Sequence, residues 1–267
     1  MSRTSETVLV IPDSQNGFRG NQTLHDRGAW EAAVVLAQMV QPDHLVLLGD
    51  MLDFSTLTKK FRTEADLVCK MGHTIEETKW WLKRLVVASR GSKRKYLAGN
   101  HEARLNNTLV DANKDLEGLV TVSSLLELGE DYQYIGPYGR TWEHREVIYA
   151  HGDKYAKYGG QTCAKYLSEH PKSIVFGHCH KNEIARRTYY GRTRFAASPG
   201  TIARIDGIVP GNSCYPDWSQ GFCLVHYSKG NDPACEMITY ANRNIFMRGE
   251  VLPVRHDARA RQKELGF

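Results

Sequence analysis

Eight residues with metal-binding side chains fall where short apolar runs stop. Asp13 closes VLVIPD, Asp50 and Asp53 follow LVLLG, Asn100 and His101 follow KYLAG, His151 ends VIYAH, and His178 and His180 follow SIVFG. Each apolar run reaches a small or turn-forming residue and then delivers a carboxylate, an amide or an imidazole. Carboxylate and amide oxygens mixed with neutral imidazoles suit two adjacent divalent ions. Gln15 stands where a histidine would complete the series. Paired cations support hydrolysis: a shared carboxylate holds two ions about 3.5–4 Å apart, and a bridging water between them loses a proton readily and becomes the nucleophile. Asp50, in a Gly-Asp turn directly after a strand, is the candidate bridge. His101 adjoins Asn100, so it can face substrate while Asn100 faces metal. Asp53, one turn from Asp50, is placed to orient His101, as carboxylates commonly orient histidines.

Each block also has a plainer reading. A Gly-Asp or Gly-Asn pair after a strand is a common turn or helix cap. His178 and His180 say more, because alternation along an extended segment puts both imidazoles on one side and Cys179 on the other. Five such blocks in one order are a poor match to coincidence.

Bringing these residues together requires strand ends that converge on one edge, which an open α/β sheet provides. VLVIP, LVLLG and KYLAG read as strands alternating with helices over Ala29 to Val40, stopped before Pro42, and over Ala103 to Leu128. Residues 54–95 read as a charged, mostly helical insertion flanking the cleft, with TIEETKWWLKRLVVAS as its clearest part. The second half is richer in strands: VIYAH, SIVFGH, RRTYYGRTRFAAS and GFCLVHY, punctuated by Gly and Pro. No repeat, low-complexity tract or linker divides the chain. Residues 1–267 are therefore expected to form a single α/β domain, with 248–267 as a peripheral tail.

At 267 residues and 41% hydrophobic content the chain can bury a sizeable core. Its net charge of +5 and pI near 8.8 permit a phosphate-bearing partner without requiring one. The six cysteines form no CxxC pair or regular framework, so they read as reduced thiols in a cytoplasmic setting. No apolar run approaches the ~20 residues that span a membrane.

The order D-x-(H), GDxxD, GNHE, a lone histidine after an apolar run, then GHxH resembles the calcineurin-like metallophosphoesterase superfamily. Here the blocks read DSQ, GDMLD, GNHE, AHGD and GHCH, and span Asp13 to His180. The resemblance implies a four-layer α/β/β/α sandwich with a dinuclear site at the strand ends. It also implies a ligand set. One ion would take Asp13, Asp50 and His180, with Gln15 at the departing position, and the other Asp50, Asn100, His151 and His178. The family's proton donor or transition-state stabiliser falls on His101. PDSQNG, GDMLDFSTLTKKF and SPGTIARIDG with YPDWSQGFCLV are similar, more narrowly, to metallophosphoesterases of tailed phages and prophages, where a glutamine in the first block is familiar. That branch would place the protein in a host cytoplasm.

An amide oxygen ligates hard cations but is a weaker donor than imidazole to Zn2+ or Fe. Two divalent ions are thus expected, with Mn2+ favoured and Mg2+, Fe, Zn2+ and Ni2+ as alternatives. The alternative role for Gln15 is to hydrogen-bond the nucleophilic water only. The Ser/Thr phosphatase pattern GDxxDRG is absent, because Phe54 and Ser55 follow Asp53; phosphoprotein substrates are disfavoured. Lys59, Lys60, Arg62 and Arg104 are candidates to meet a phosphate backbone, although a solvated helix face explains them too. Arg186 to Arg194 mixes basic and aromatic residues as single-strand binders do, and an exposed strand edge explains it equally well. The expected activity is a metal-dependent phosphodiesterase or nuclease acting on DNA or nucleotides. The alternatives are a small-molecule phosphomonoesterase and a weakly active nucleic-acid- or phosphate-binding module.

Overall fold

The computed structural model describes residues 5–57, 71–209 and 217–255. In chain order, β1 (Ser5–Ile11) leads through a small ribbon, β2 (Phe18–Arg19) and β3 (Gln22–Thr23), to α1 (Arg27–Val40) and β4 (His44–Leu47). Then come α2 (Met71–Ala88), β5 (Lys93–Leu97), α3 (Asn100–Ala112), the short α4 (Val122–Leu125) and β6 (Gln133–Ile135). The second half holds β7 (Trp142–His144), β8 (Val147–Ala150), α5 (Gln161–Glu169), β9 (Ser173–Phe176), β10 (Asn182–Tyr189) and β11 (Arg192–Pro199). Four strands close the described chain: β12 (Gly221–Ser228), β13 (Ala234–Ala241), β14 (Asn244–Met247) and β15 (Glu250–Pro253).

These strands form two mixed sheets, making this an α/β protein. The larger runs β15-β14-β13-β12-β1-β4-β5-β6, and the smaller β10-β11-β9-β8-β7. In the larger sheet β1, β4, β5 and β6 are parallel, and β12 joins β1 antiparallel. In the smaller, β8, β9 and β11 are parallel.

The apolar run of β1 shows how sequence becomes layering. Its side chains alternate between faces, and Val8 to Ile11 are fully buried on both. Leu9 and Ile11 pack with α1 and α2 residues such as Trp30, Leu36, Trp81 and Leu85. Val8 and Val10 pack with Tyr149, Val175, Phe195 and Ala197 of the smaller sheet. A further cluster sets Cys163, Tyr166 and Leu167 of α5 against Ile174, Phe176 and Ala196. Trp30 and Trp81, both fully buried, stack at 5.5 Å and lock α1 to α2. Truncating such a residue to Ala typically costs about 3–5 kcal/mol.

Helix α1 begins two residues before the expected Ala29, because the Asp26 carboxylate caps the N–H groups of Gly28 and Ala29. It ends, as expected, before Pro42. Three other boundaries need correction. The helical insertion cannot run to residue 95, since α2 ends at Ala88 and 93–97 pair inside the larger sheet. Ala103 to Leu128 is broken: α3 starts at Asn100 and stops at Ala112, and only Val122–Leu125 is helical again by α-type turns. The tail expected at 248–267 contributes β15 to the sheet edge through Glu250–Pro253; residues 256–267 lie outside the described ones. RRTYYGRTRFAAS is a hairpin, with Tyr190 and Gly191 both at positive φ in its two-residue turn. No helix among the described residues is long and apolar enough to cross a membrane.

Candidate metal centre

Five strand ends carry the chemistry. Chain leaving β1 brings Asp13 and Gln15, chain leaving β4 brings Asp50 and Asp53, and β5 runs into α3 with Asn100 and His101. From the smaller sheet, β8 delivers His151 and β9 delivers His178 and His180. All five are the C-terminal ends of strands that run parallel to a neighbour, where an α/β sheet opens its crevice.

The donors gather in two linked sets. Asp50, His151 and His178 each place a ligand atom within 4.8 Å of the others. The side-chain oxygen of Asn100 lies between them, 2.9 Å from His151 Nε2 and 2.8 Å from His178 Nδ1. In the other set His180 Nε2 is 3.0 Å from Asp13 Oδ2 and 3.2 Å from the side-chain amide of Gln15. A half-turn of that amide exchanges its nitrogen for its oxygen. The backbone N–H groups of Ser14 and Gln15 donate to the Asp50 carbonyl, and the His178 N–H donates to the Asp13 carboxylate. These bonds fix one set against the other.

The donor chemistry fits divalent cations. His151 Nδ1 is 3.0 Å from the Leu48 carbonyl, which only accepts, so Nδ1 carries the proton. In its neutral form His151 turns its Nε2 lone pair toward the Asn100 oxygen and toward Asp50 Oδ2 at 3.4 Å. Lone pairs facing one another in a buried site are what a cation resolves. Burial would push the Asp50 carboxyl up, yet His101 and His151 hold it down at about 2. Burial also opposes the charged form of His151, but Asp50, Asp13 and Glu102 together raise that imidazole. His178 is lowered, by burial and then by His151.

Four of the expected ligands pay a backbone cost. Gln15, Asp50, His178 and His180 all have positive φ, between 46° and 67°. Such left-handed, non-glycine residues cost roughly 1–3 kcal/mol each and cluster at functional sites. This corrects the extended geometry expected for His178 and His180: left-handed turns, not strand alternation, aim both rings. Cys179 does point away, its thiol 3.2 Å from the Ser198 hydroxyl. Two glycines allow the close approach. A Cβ on Gly99 would lie 2.1 Å from Asp50 Oδ1, and one on Gly177 would lie 2.3 Å from Asp13 Oδ1.

His101 Nδ1 lies 3.1 Å from Asp53 Oδ1, and its Nε2 faces Asp50 Oδ2 at 3.6 Å. Burial disfavours its charged form, but Asp50 and Asp53 raise its pKa overall. Arg104, one turn along α3, donates to His101 Nε2 at 2.8 Å and to the Asp53 carbonyl at 2.6 Å. Lys59, Lys60 and Arg62 lie outside the described residues.

Several supporting residues had no role in the sequence reading. Glu102 is buried, and its carboxylate accepts from the backbone N–H groups of Asp50, Met51, Leu52 and Gly99 and from the Tyr96 hydroxyl. The signal was present, since a glutamate at the third position of a helix commonly bonds back to the cap. Thr201 of SPGTIARIDG donates its hydroxyl to the Asp13 carbonyl. Ser219 of YPDWSQ donates its N–H to the His180 carbonyl, and Trp218 packs edge-on to the His180 ring at 4.0 Å. The two late motifs thus brace the Asp13–Gln15–His180 set of donors. Asn16 of PDSQNG bridges Trp30 on α1 and Thr78 on α2.

A scan of the chain against protein-family models found no matching family, and a search of curated proteins found no relative.

Proposed function

We propose that this protein is a phosphoesterase of the calcineurin-like metallophosphoesterase type, dependent on two divalent ions and acting on phosphodiesters of nucleotides or DNA. The observation that carries this reading is the convergence of seven donors, Asp13, Gln15, Asp50, Asn100, His151, His178 and His180, from five strand ends onto one crevice. The arrangement of the cores supports the four-layer α/β/β/α form: α1 and α2 cover the outer face of the larger sheet, and α5 covers that of the smaller.

Divalent ions held there supply Lewis acidity toward the phosphoryl oxygens and the attacking water. The chain's own groups do the rest. Asp50, Asn100, His151 and His178 form one cradle; Asp13, His180 and Gln15 form the other, with Asp50 between them. Gln15 makes the second cradle poorer in imidazole and favours Mn2+. His101, raised above its ordinary pKa, can hold a proton for the leaving oxygen. Arg104 occupies His101 Nε2 in the free protein; a phosphate anion gives that guanidinium a better partner and frees the nitrogen for proton donation. A cytoplasmic setting accords with the free, buried cysteines Cys163, Cys179, Cys223 and Cys235.

The test is hydrolysis of bis-(p-nitrophenyl) phosphate by the metal-stripped protein resupplied with Mn2+, beside the monoester and plasmid DNA. Diester cleavage restored by Mn2+ is expected. No hydrolysis under any divalent ion would favour a binding module, and monoester cleavage with intact DNA would sink the nuclease reading. Equal activity with Zn2+ alone would count against the role given to Gln15.

A further inference from the structure

A second group of metal-binding side chains lies at the opposite end of the strands. Glu6 is near the start of β1, His44 opens β4 and His144 closes β7. Seven positions separate Glu6 from Asp13, about 23 Å along an extended strand. His144 pairs with Val147, at the end of β8 away from His151.

One Glu6 oxygen and one ring nitrogen from each histidine lie within 4.8 Å of one another. His144 Nε2 is 2.8 Å from Glu6 Oε2, and the two imidazole rings are 4.6 Å apart, tilted by 50°. Arg145 fixes the other Glu6 oxygen at 2.6 Å. Trp142 packs on both rings, at 5.1 Å from His44 and 5.2 Å from His144. Among the described residues, the buried Nδ1 of His44 has no hydrogen-bond partner. A buried polar atom left unpaired costs free energy, and such exceptions call for an explanation such as an ion.

The chemistry selects the ion. Two imidazoles and one carboxylate match Zn2+ and its transition-metal neighbours, whereas Mg2+ and Ca2+ require more oxygens. Arg145 and Lys95 nearby oppose added positive charge, so binding must rest on short-range ligation by imidazole rather than on a negative field.

We propose that Glu6, His44 and His144 form a separate site for an imidazole-preferring ion such as Zn2+, which staples the larger sheet, through β1 and β4, to the smaller sheet, through β7. Crystals of the full chain grown with ZnCl2 and measured on both sides of the zinc absorption edge should give an anomalous peak between these three residues. Absence of that peak overturns the proposal. In solution, equilibrium dialysis against micromolar Zn2+ should find one ion fewer bound to His144→Gln and to Glu6→Gln than to wild type. Equal zinc content in wild type and both variants overturns it equally. Should a variant fail to fold, the diffraction result on the unmodified chain decides. His144→Gln and Glu6→Gln leave the strand-end centre untouched, so this site and the phosphoesterase reading can fail independently.

Discussion

His101 is the residue on which the proton chemistry turns, because it touches Asp50, Asp53 and Arg104 without belonging to either donor set. Replacing His101 by Ala should lower kcat by roughly 10²–10⁴-fold, the usual worth of a general acid, while metal content measured by plasma emission stays unchanged. Loss of both ions in that variant would mean that His101 is a ligand and that its role has been misassigned. Gln15 gives the converse test. Gln15→His adds an imidazole beside His180 and Asp13, so Zn2+ should then support turnover comparable to Mn2+ in a metal titration. Persistent preference for Mn2+ would show that the cradle of Asp13, Gln15 and His180 does not set the metal.

At the scale of elements, the β4 turn and the start of α3 are held together by one buried carboxylate. Glu102→Ala leaves four backbone N–H groups without their acceptor. The expected loss is about 3–5 kcal/mol of stability, read as a fall in the denaturation midpoint and accompanied by weaker metal binding. A variant as stable as wild type would show that water replaces Glu102 freely. Gly99→Ala should act on the same junction differently, since its Cβ would collide with Asp50 Oδ1. Activity and metal affinity should drop much more than thermal stability; unchanged metal affinity would show that Asp50 has room to move.

Across the whole molecule, the meeting of the two sheets near His44 is expected to make the fold acid-sensitive. Burial, and then His144, lower the His44 pKa from 6.5 to about 4; Glu6 works against this, and Lys95 and Lys93 add to it. Between those two values the unfolded chain binds the proton and the folded chain does not, so stability must fall as pH drops from 6.5 toward 4. Urea denaturation at a series of pH values, with a chelator present, should show this slope in wild type and a shallower one in His44→Gln. Identical slopes would assign the acid sensitivity to other groups.

The apolar runs and the residues ending them already determined the strands, the α/β class and the members of the strand-end cluster. The continuous apolar run of VLVIP, buried on both faces, and the stop at Pro42 are local effects, set by side-chain size and backbone freedom. Tertiary structure alone decided how the ligands are aimed. The left-handed turns at Gln15, Asp50, His178 and His180 disobey local preference, and only surrounding packing and hydrogen bonds hold them. Thr201 and Ser219 were equally hidden, because each acts across more than 35 residues of chain on a partner that folding brings near; the bond of Glu102 back to Gly99 was legible, but its reach to the Asp50–Leu52 turn was not. The meeting of Glu6, His44 and His144 was hidden for the same reason: three strands from two sheets share no spacing in sequence, and only their packing makes them neighbours.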